Sequence, residues 1–363
     1  MYQYLDIKTI HLEISSKCNA SCPMCARNIC GGAVNPYLPL TELSLQDIKV
    51  IFPVNFLRQL NRIYMCGNHG DPIIAKDTLD IFKFFREKNS SLNLSLFTNG
   101  SAQSEDWWKE LGFVLNSAHF SIDGLEDTNS IYRRGTDFKK IMQNAKSFIT
   151  GGGKAVWDYI VFQHNEHQVS QAREMAEDMG FHRFVVKKTG RFYSNQKSKV
   201  KTKQVILNKK KEIEGYLKIP KNPKYKNRSL QREDELIQKY GSLEKYLNQT
   251  QIFCKVSQEK SLYVSSEAFV FPCCWTANQL YPWYFKKRSS QIWKLIEQLT
   301  EKEMNLNAKK HSIKKIVEGD FFQKLIPNSW KGKDINKDKL KVCAKTCGQE
   351  FTPFTDQFIS KSS

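Results

Sequence analysis

The stretch Glu13-Ile14-Ser15-Ser16-Lys17-Cys18-Asn19-Ala20-Ser21-Cys22-Pro23-Met24-Cys25 decides the reading of this chain. Its cysteines are spaced C-x3-C-x2-C and follow directly on an apolar, strand-like run over residues 7–14. Three thiolates on one short loop make a soft donor set, which selects an iron–sulfur cluster or zinc. The count of three is informative. A [4Fe–4S] cluster held by three cysteines keeps one iron free to bind something else. A zinc knuckle with a distant fourth ligand competes with this reading, but zinc pairs normally come as two C-x2-C steps.

Downstream, strand and helix patterns alternate. Strands are expected at 62–66, 92–97, 117–122, 155–162 and 184–187, with helices at 78–88, 104–111, 137–150 and 168–179 between them. Ser44 with Asp47 caps an earlier helical pattern that Pro53 interrupts. Six alternations imply parallel strands with right-handed crossovers, and an open sheet or a partial barrel both satisfy that. Strand parity puts His11 with Glu13 on one face, and His119 with Ser121 and Asp123 on another. Parallel strands buried on both faces normally read as unbroken Val/Ile/Leu, so these polar repeats suggest a wet interior. Ser121 and Asp123 end a strand at the loop-bearing rim.

The chain of 363 residues has 40% hydrophobic content, enough for one large domain or two ordinary ones. No apolar run approaches a membrane span and the first residues do not form a signal peptide, which points to the cytoplasm and no membrane. There, ten cysteines read as metal ligands rather than disulfides. The net charge of +19 is compatible with an anionic partner, but it comes mostly from Lys, a bias that AT-rich coding also produces.

The cysteine loop, with Asn19 after its first Cys, resembles the radical S-adenosylmethionine (radical SAM) superfamily, whose motif is CxxxCxxC. The resemblance covers roughly residues 5–190 and selects the partial six-stranded (βα)6, TIM-like barrel. It implies a [4Fe–4S] cluster on Cys18, Cys22 and Cys25 whose open iron chelates SAM, and an electron donor such as flavodoxin or ferredoxin. Cys66-Gly67-Asn68-His69-Gly70-Asp71-Pro72 sits where that family has a Gly-Gly-Glu-Pro-like motif for the SAM amino group. Here Asn and Asp replace Gly and Glu, leaving Gly67, Asn68, Gly70 and Asp71 as the candidate contacts. Thr98-Asn99 and Ser121 with Asp123 resemble positions near the SAM ribose and carboxylate. Met24 stands where many members have an aromatic residue beside the adenine.

Between 194 and 250 the composition becomes basic: Lys197, Lys199, Lys201 and Lys203 alternate, then Lys209-Lys210-Lys211 form a block. A solvated linker or insertion is the expectation, with a docking surface for phosphate or an acidic peptide as the alternative. A short helix is expected over 233–247. The His164 and His167 pair lines the barrel mouth and is not read as a metal site. A second cysteine set comprises Cys254, Cys273 or Cys274, Cys343 and Cys347, with a hairpin around 265–267 that sets Cys254 and Cys273 on neighbouring strands. Helices are expected at 289–304 and 312–326. This part resembles the twitch domain, the short form of the SPASM domain, and implies one auxiliary [4Fe–4S] cluster. Four cysteines on zinc are the alternative. Cys30 and Cys66 are left as free thiols.

The expected architecture is a radical SAM barrel over 1–193, a basic segment over 194–250, and a small α+β twitch/SPASM-like domain over 251–363. The expected function is hydrogen abstraction by a 5′-deoxyadenosyl radical, on a polypeptide first and on a nucleic acid (tRNA or DNA) or small metabolite second. No leader-recognition domain is visible ahead of the first strand. No catalytic side chain beyond the cofactor ligands is assigned. A zinc-dependent nucleic-acid-binding protein is the reading from another class.

Overall fold

Six strands with apolar alternate positions form the barrel wall: β1 (Thr9–Leu12), β2 (Arg62–Cys66), β3 (Asn93–Thr98), β4 (Ser117–Ser121), β5 (Lys154–Ile160) and β6 (Arg183–Lys187). The computed structural model describes residues 1–194, 202–352 and 356–358. β1 to β6 are parallel neighbours in chain order. Helices Thr78–Lys88, Glu105–Val114, Phe138–Thr150 and Val169–Asp178 make the crossovers. Ahead of β2, Ser44 and Asp47 cap one another's backbone amides at 3.0 and 3.1 Å, and Pro53 splits that crossover into Leu45–Ile51 and Val54–Gln59. Among the described residues no helix is long and apolar enough to cross a membrane.

The register separates two faces. Ile10, Ile63, Leu96, Ala118, Phe120 and Trp157 are fully buried beneath the helices. The opposite face carries His11, Tyr64, Phe97, His119, Asp158 and Lys187, paired strand to strand as His11 with Tyr64, Phe97 with His119, and Ile160 with Lys187. Several of these are only half-buried, so the interior is polar and open.

The hairpin beyond residue 260 continues this same sheet. β9 (Ser261–Val264) pairs parallel to β1, and β10 (Val270–Phe271) folds back antiparallel on it, after β7 (Lys203–Leu207) and β8 (Ile213–Lys218) have formed a separate sheet. The eight-stranded order is β10-β9-β1-β2-β3-β4-β5-β6. β1 is thus an interior strand, flanked by β2 and β9.

Five local expectations are corrected. Residues 203–218 are a β-hairpin rather than a solvated linker. The Lys alternation hides a period-two apolar face, with Ile206 and Leu217 buried and Lys209-Lys210-Lys211 in the exposed turn. Lys197, Lys199 and Lys201 lie outside the described residues. The helix over 233–247 is two, Ser229–Tyr240 and Leu243–Gln249, broken at Gly241 with φ +81°. The pattern at 289–304 yields only Gln291–Ile296 and a 3₁₀ turn at Lys302–Leu306, with Lys302 itself at φ +49°. That at 312–326 breaks into Ile313–Val317, a π turn at Phe321–Leu325 and a further short helix, Ile326–Trp330. Finally, Cys254 and Cys273 flank the β9–β10 hairpin as N-caps of the short helices Lys255–Glu259 and Cys274–Ala277, not as strand residues.

The inserted hairpin covers the first cysteine loop. Ile206 and Leu217 pack in one cluster with Ala20, Cys22, Tyr132, Phe162 and Phe192, and the Leu207 amide donates to the Cys30 carbonyl at 2.9 Å. Leu217→Ala is expected to cost about 2–4 kcal/mol of local stability, read as faster amide exchange across 203–218. Ile213→Ala, at a 61% exposed site, should stay within about 0.5 kcal/mol.

Candidate active site

Cys18, Cys22 and Cys25 stand at the C-terminal end of β1, where the chain leaves the sheet. The loop is held by the Cys25 amide donating to the Cys22 carbonyl at 3.0 Å and the Ser21 amide donating to the Arg134 carbonyl at 2.8 Å. Each sulfur has an N–H neighbour. The Ala20 amide reaches Cys18 Sγ at 3.3 Å and the Arg27 amide reaches Cys25 Sγ at 3.4 Å. Asn99 Nδ2 lies 3.7 Å from Cys18 Sγ, and Arg133 Nη1 3.9 Å from Cys22 Sγ. Burial pushes the Cys22 thiol up to about 11 and the Cys18 thiol up further, against the pull of Arg133 on Cys22. As bare thiols Cys18 and Cys22 are therefore neutral, and binding a metal group releases their protons. Among the described residues no three His, Cys, Asp or Glu side chains converge as tightly as a single ion requires. Three sulfurs, Cys22 buried and Cys18 and Cys25 half-buried, with N–H donors and the neighbouring Arg133, suit an anionic iron–sulfur cluster.

Beside the sulfurs lies a backbone cradle that only glycine permits. A Cβ on Gly67 would fall 1.8 Å from the Gly70 carbonyl oxygen, and one on Gly70 would fall 1.8 Å from that of Ser15. Glu13 holds this turn from β1. Its carboxylate accepts the His69 amide at 2.6 Å, the Gly70 amide at 3.1 Å and the Tyr263 hydroxyl. Burial alone would raise the Glu13 carboxyl, but these donors and the His69 ring hold it below the usual range. Asn68 spans outward, its carbonyl 3.8 Å from Cys25 Sγ and its side-chain amide donating to the Cys274 carbonyl at 3.2 Å.

Asp71, Thr98 and Asn99 come together, but Asp71 faces protein donors. Its oxygens accept Thr98 Oγ1 at 2.8 Å, the Asn99 amide at 2.7 Å and the Ile73 amide at 3.2 Å. Asp71 thereby aims Asn99, whose Nδ2 also donates to Asn19 Oδ1 at 2.9 Å. Asp123 is likewise committed, to Arg133 Nε at 2.6 Å and to the Ile160 amide at 2.5 Å. Burial pushes its carboxyl up and Arg133 pulls it back. Arg133 is a site residue that sequence reading missed. Its signal was a buried-carboxylate partner ten residues beyond Asp123, which spacing alone does not reveal. Ser121 is half-buried on the interior face.

No protein-family model matches the chain. It is 26% identical over 130 residues to a tungsten-containing aldehyde ferredoxin oxidoreductase cofactor-modifying protein of Pyrococcus furiosus, covering 36% of this chain and 34% of that one. It is also 26% identical over 136 residues to a GTP 3′,8-cyclase of Pectobacterium atrosepticum, covering 37% and 40%. The matches thus span little more than a third of the curated relatives' length. SuiB of Streptococcus suis, solved bound to its precursor peptide SuiA, superposes with TM-score 0.51 and 15% identity over 93% of this chain and 76% of that one. The protein anSMEcpe, solved with bound AdoMet, gives TM-score 0.51 and 15% identity over 98% and 88%. The fold is that of the radical SAM enzymes.

Outside the barrel, the second cysteine set divides. The Phe253 amide donates to the Cys347 carbonyl at 2.9 Å, which brings Cys254 beside Cys347. Burial raises the thiols of Cys254, Cys273 and Cys343, Cys273 to about 11, and the nearby Cys347 adds to each. Cys274 leans the other way. Burial and the neighbouring Cys273, Cys66 and Glu13 raise it well above a normal thiol. The Asn68 side-chain amide donates to the Cys274 carbonyl at 3.2 Å, whereas Cys273 Sγ lies 3.7 Å from Thr276 Oγ1. Burial lifts Cys66 to about 12. His164 stacks on Phe162 at 5.4 Å, and burial lowers it to about 4, so it belongs to the packing at the mouth.

Arg133→Met should cost about 3–5 kcal/mol in denaturant unfolding of the metal-free protein, because Asp123 is left charged and buried. Adding Asp123→Asn should recover part of that loss. In the single variant the penalty should fade as pH falls through the raised pKa of the folded carboxyl and be gone by about 4, because the folded carboxyl takes up a proton before the unfolded one does.

Proposed function

We propose that this chain binds a [4Fe–4S] cluster through Cys18, Cys22 and Cys25 and uses SAM on it to modify a peptide or protein side chain. The observation that carries the reading is the junction of three N–H-bonded sulfurs with the Gly67–Gly70 cradle at one barrel mouth. When bound and reduced, SAM supplies a 5′-deoxyadenosyl radical that takes a hydrogen atom from the substrate. The backbone of Gly67, Asn68 and Gly70 receives the amino group, and Arg133 is the cation for the carboxylate. Thr98, Asn99 and Ser121 line the remainder, with Asp71 and Asp123 fixing Asn99 and Arg133 in place. Cys254, Cys273, Cys343 and Cys347 hold one auxiliary [4Fe–4S] cluster. A flavodoxin or ferredoxin in the cytoplasm supplies the electron. A polypeptide substrate is supported by SuiB, which was solved with its precursor peptide.

After anaerobic reconstitution the protein should be brown with about eight irons per chain; stoichiometric zinc without iron would refute the reading. Replacing Cys18, Cys22 and Cys25 with Ala should abolish 5′-deoxyadenosine formation. Replacing Cys343 and Cys347 should spare some SAM cleavage and remove substrate turnover. Deuterated pools of peptides, of tRNA and DNA, and of metabolites then identify the substrate. Deuterium is expected in 5′-deoxyadenosine from the peptide pool, and its appearance only from the nucleic-acid pool would overturn the polypeptide assignment.

A further inference from the structure

Deeper in the barrel, His119, Asp158 and Lys187 form a charged group that no role above absorbs. All three project from the interior faces of β4, β5 and β6. Asp158 Oδ2 lies 3.2 Å from His119 Nδ1 and 2.6 Å from Lys187 Nζ. Burial would raise the Asp158 carboxyl, but the His119 hydrogen bond and the Lys187 charge outweigh it and hold it below its ordinary value. An ionised Asp158 only accepts, so Nδ1 carries the proton in their hydrogen bond, and a ring so fixed offers Nε2 as an acceptor whenever it is neutral. Nε2 has no hydrogen-bond partner among the described residues and is not among the sealed, unpaired buried atoms. From β3 only the uncharged Phe97 ring faces His119, stacked at 4.2 Å. His119 precedes Ser121 by two residues, so it sits about 6.6 Å deeper in the barrel than the mouth.

We infer that His119 is a catalytic residue whose Nε2 contacts the substrate and accepts a proton from an O–H, N–H or S–H group on it. This rests on the reading that the substrate enters the barrel interior. In the step, the substrate X–H bond breaks, the electron pair stays on X, and the new N–H bond makes an imidazolium. Asp158 is the positioning residue: it fixes the tautomer and then faces the imidazolium as its counter-ion. Lys187 shares that carboxylate and keeps it ionised.

Nitrogen-15 NMR of the histidines in the metal-free protein tests the geometry without turnover. Wild type should show the neutral His119 ring protonated on Nδ1, and Asp158→Asn should weaken that preference. An Nε2-protonated ring in wild type would overturn the inference. The reconstituted enzyme, given the deuterated peptide pool, tests the chemistry. His119→Gln should lower mass-shifted peptide product by about 100-fold or more and flatten the acid limb of its pH–rate profile. Parental product yield with an unchanged profile would also overturn it. A wild-type enzyme that forms no 5′-deoxyadenosine would instead sink the proposed function, with the tautomer measurement still judging His119.

Discussion

The buried carboxylate of Glu13 ties the molecule together. It sits at the end of β1 with almost no solvent access, and its donors come from two other segments: the His69 and Gly70 amides, and the Tyr263 hydroxyl of β9. A charge in such surroundings persists only where its acceptor sites are filled. Filling them fixes the glycine turn against Ser15, the point where the cysteine loop begins, and it docks the later hairpin onto the barrel. Loss of that carboxylate would loosen the cradle, the loop and the sheet extension together.

The two sulfur groups inherit their difference from this arrangement. The first lies on a loop leaving an interior strand, beside the tight Gly67–Gly70 turn and under a covering hairpin. The second is gathered from three separated segments by helix N-caps and one short helix, Lys341–Cys347. Thiols in both groups are pushed up by burial, so both resist ionisation until a metal group compensates them. The hairpin over 203–218 adds apolar cover to the first group, which lowers the local dielectric and strengthens its N–H···S contacts.

Much of the barrel was legible because its signals are local. Strand periodicity, the Ser44–Asp47 cap and the break at Pro53 each depend on a few adjacent residues, and the structure places helix Thr78–Lys88 at the bounds its pattern implies. The cysteine spacing and the Gly67–Gly70 turn were legible for the same reason. What was missed depends on partners far along the chain. Arg133 gains meaning only from Asp123 and Cys22, Asp158 only from His119 and Lys187, and Asp71 proves to be an organiser because Thr98 and Asn99 fold against it. The basic hairpin was masked by composition: its two buried apolar residues lie among lysines, and its helices beyond 290 break at backbone conformations that apolar spacing does not report.

The central claim is that three cysteines leave one iron open to SAM. Electron–nuclear double resonance on the reduced, reconstituted protein tests it directly, using SAM labelled with nitrogen-15 in its amino group. The account predicts a nitrogen-15 coupling to the reduced cluster, retained when Cys343 and Cys347 are replaced by Ala. A reduced cluster with no coupling to labelled SAM would contradict it.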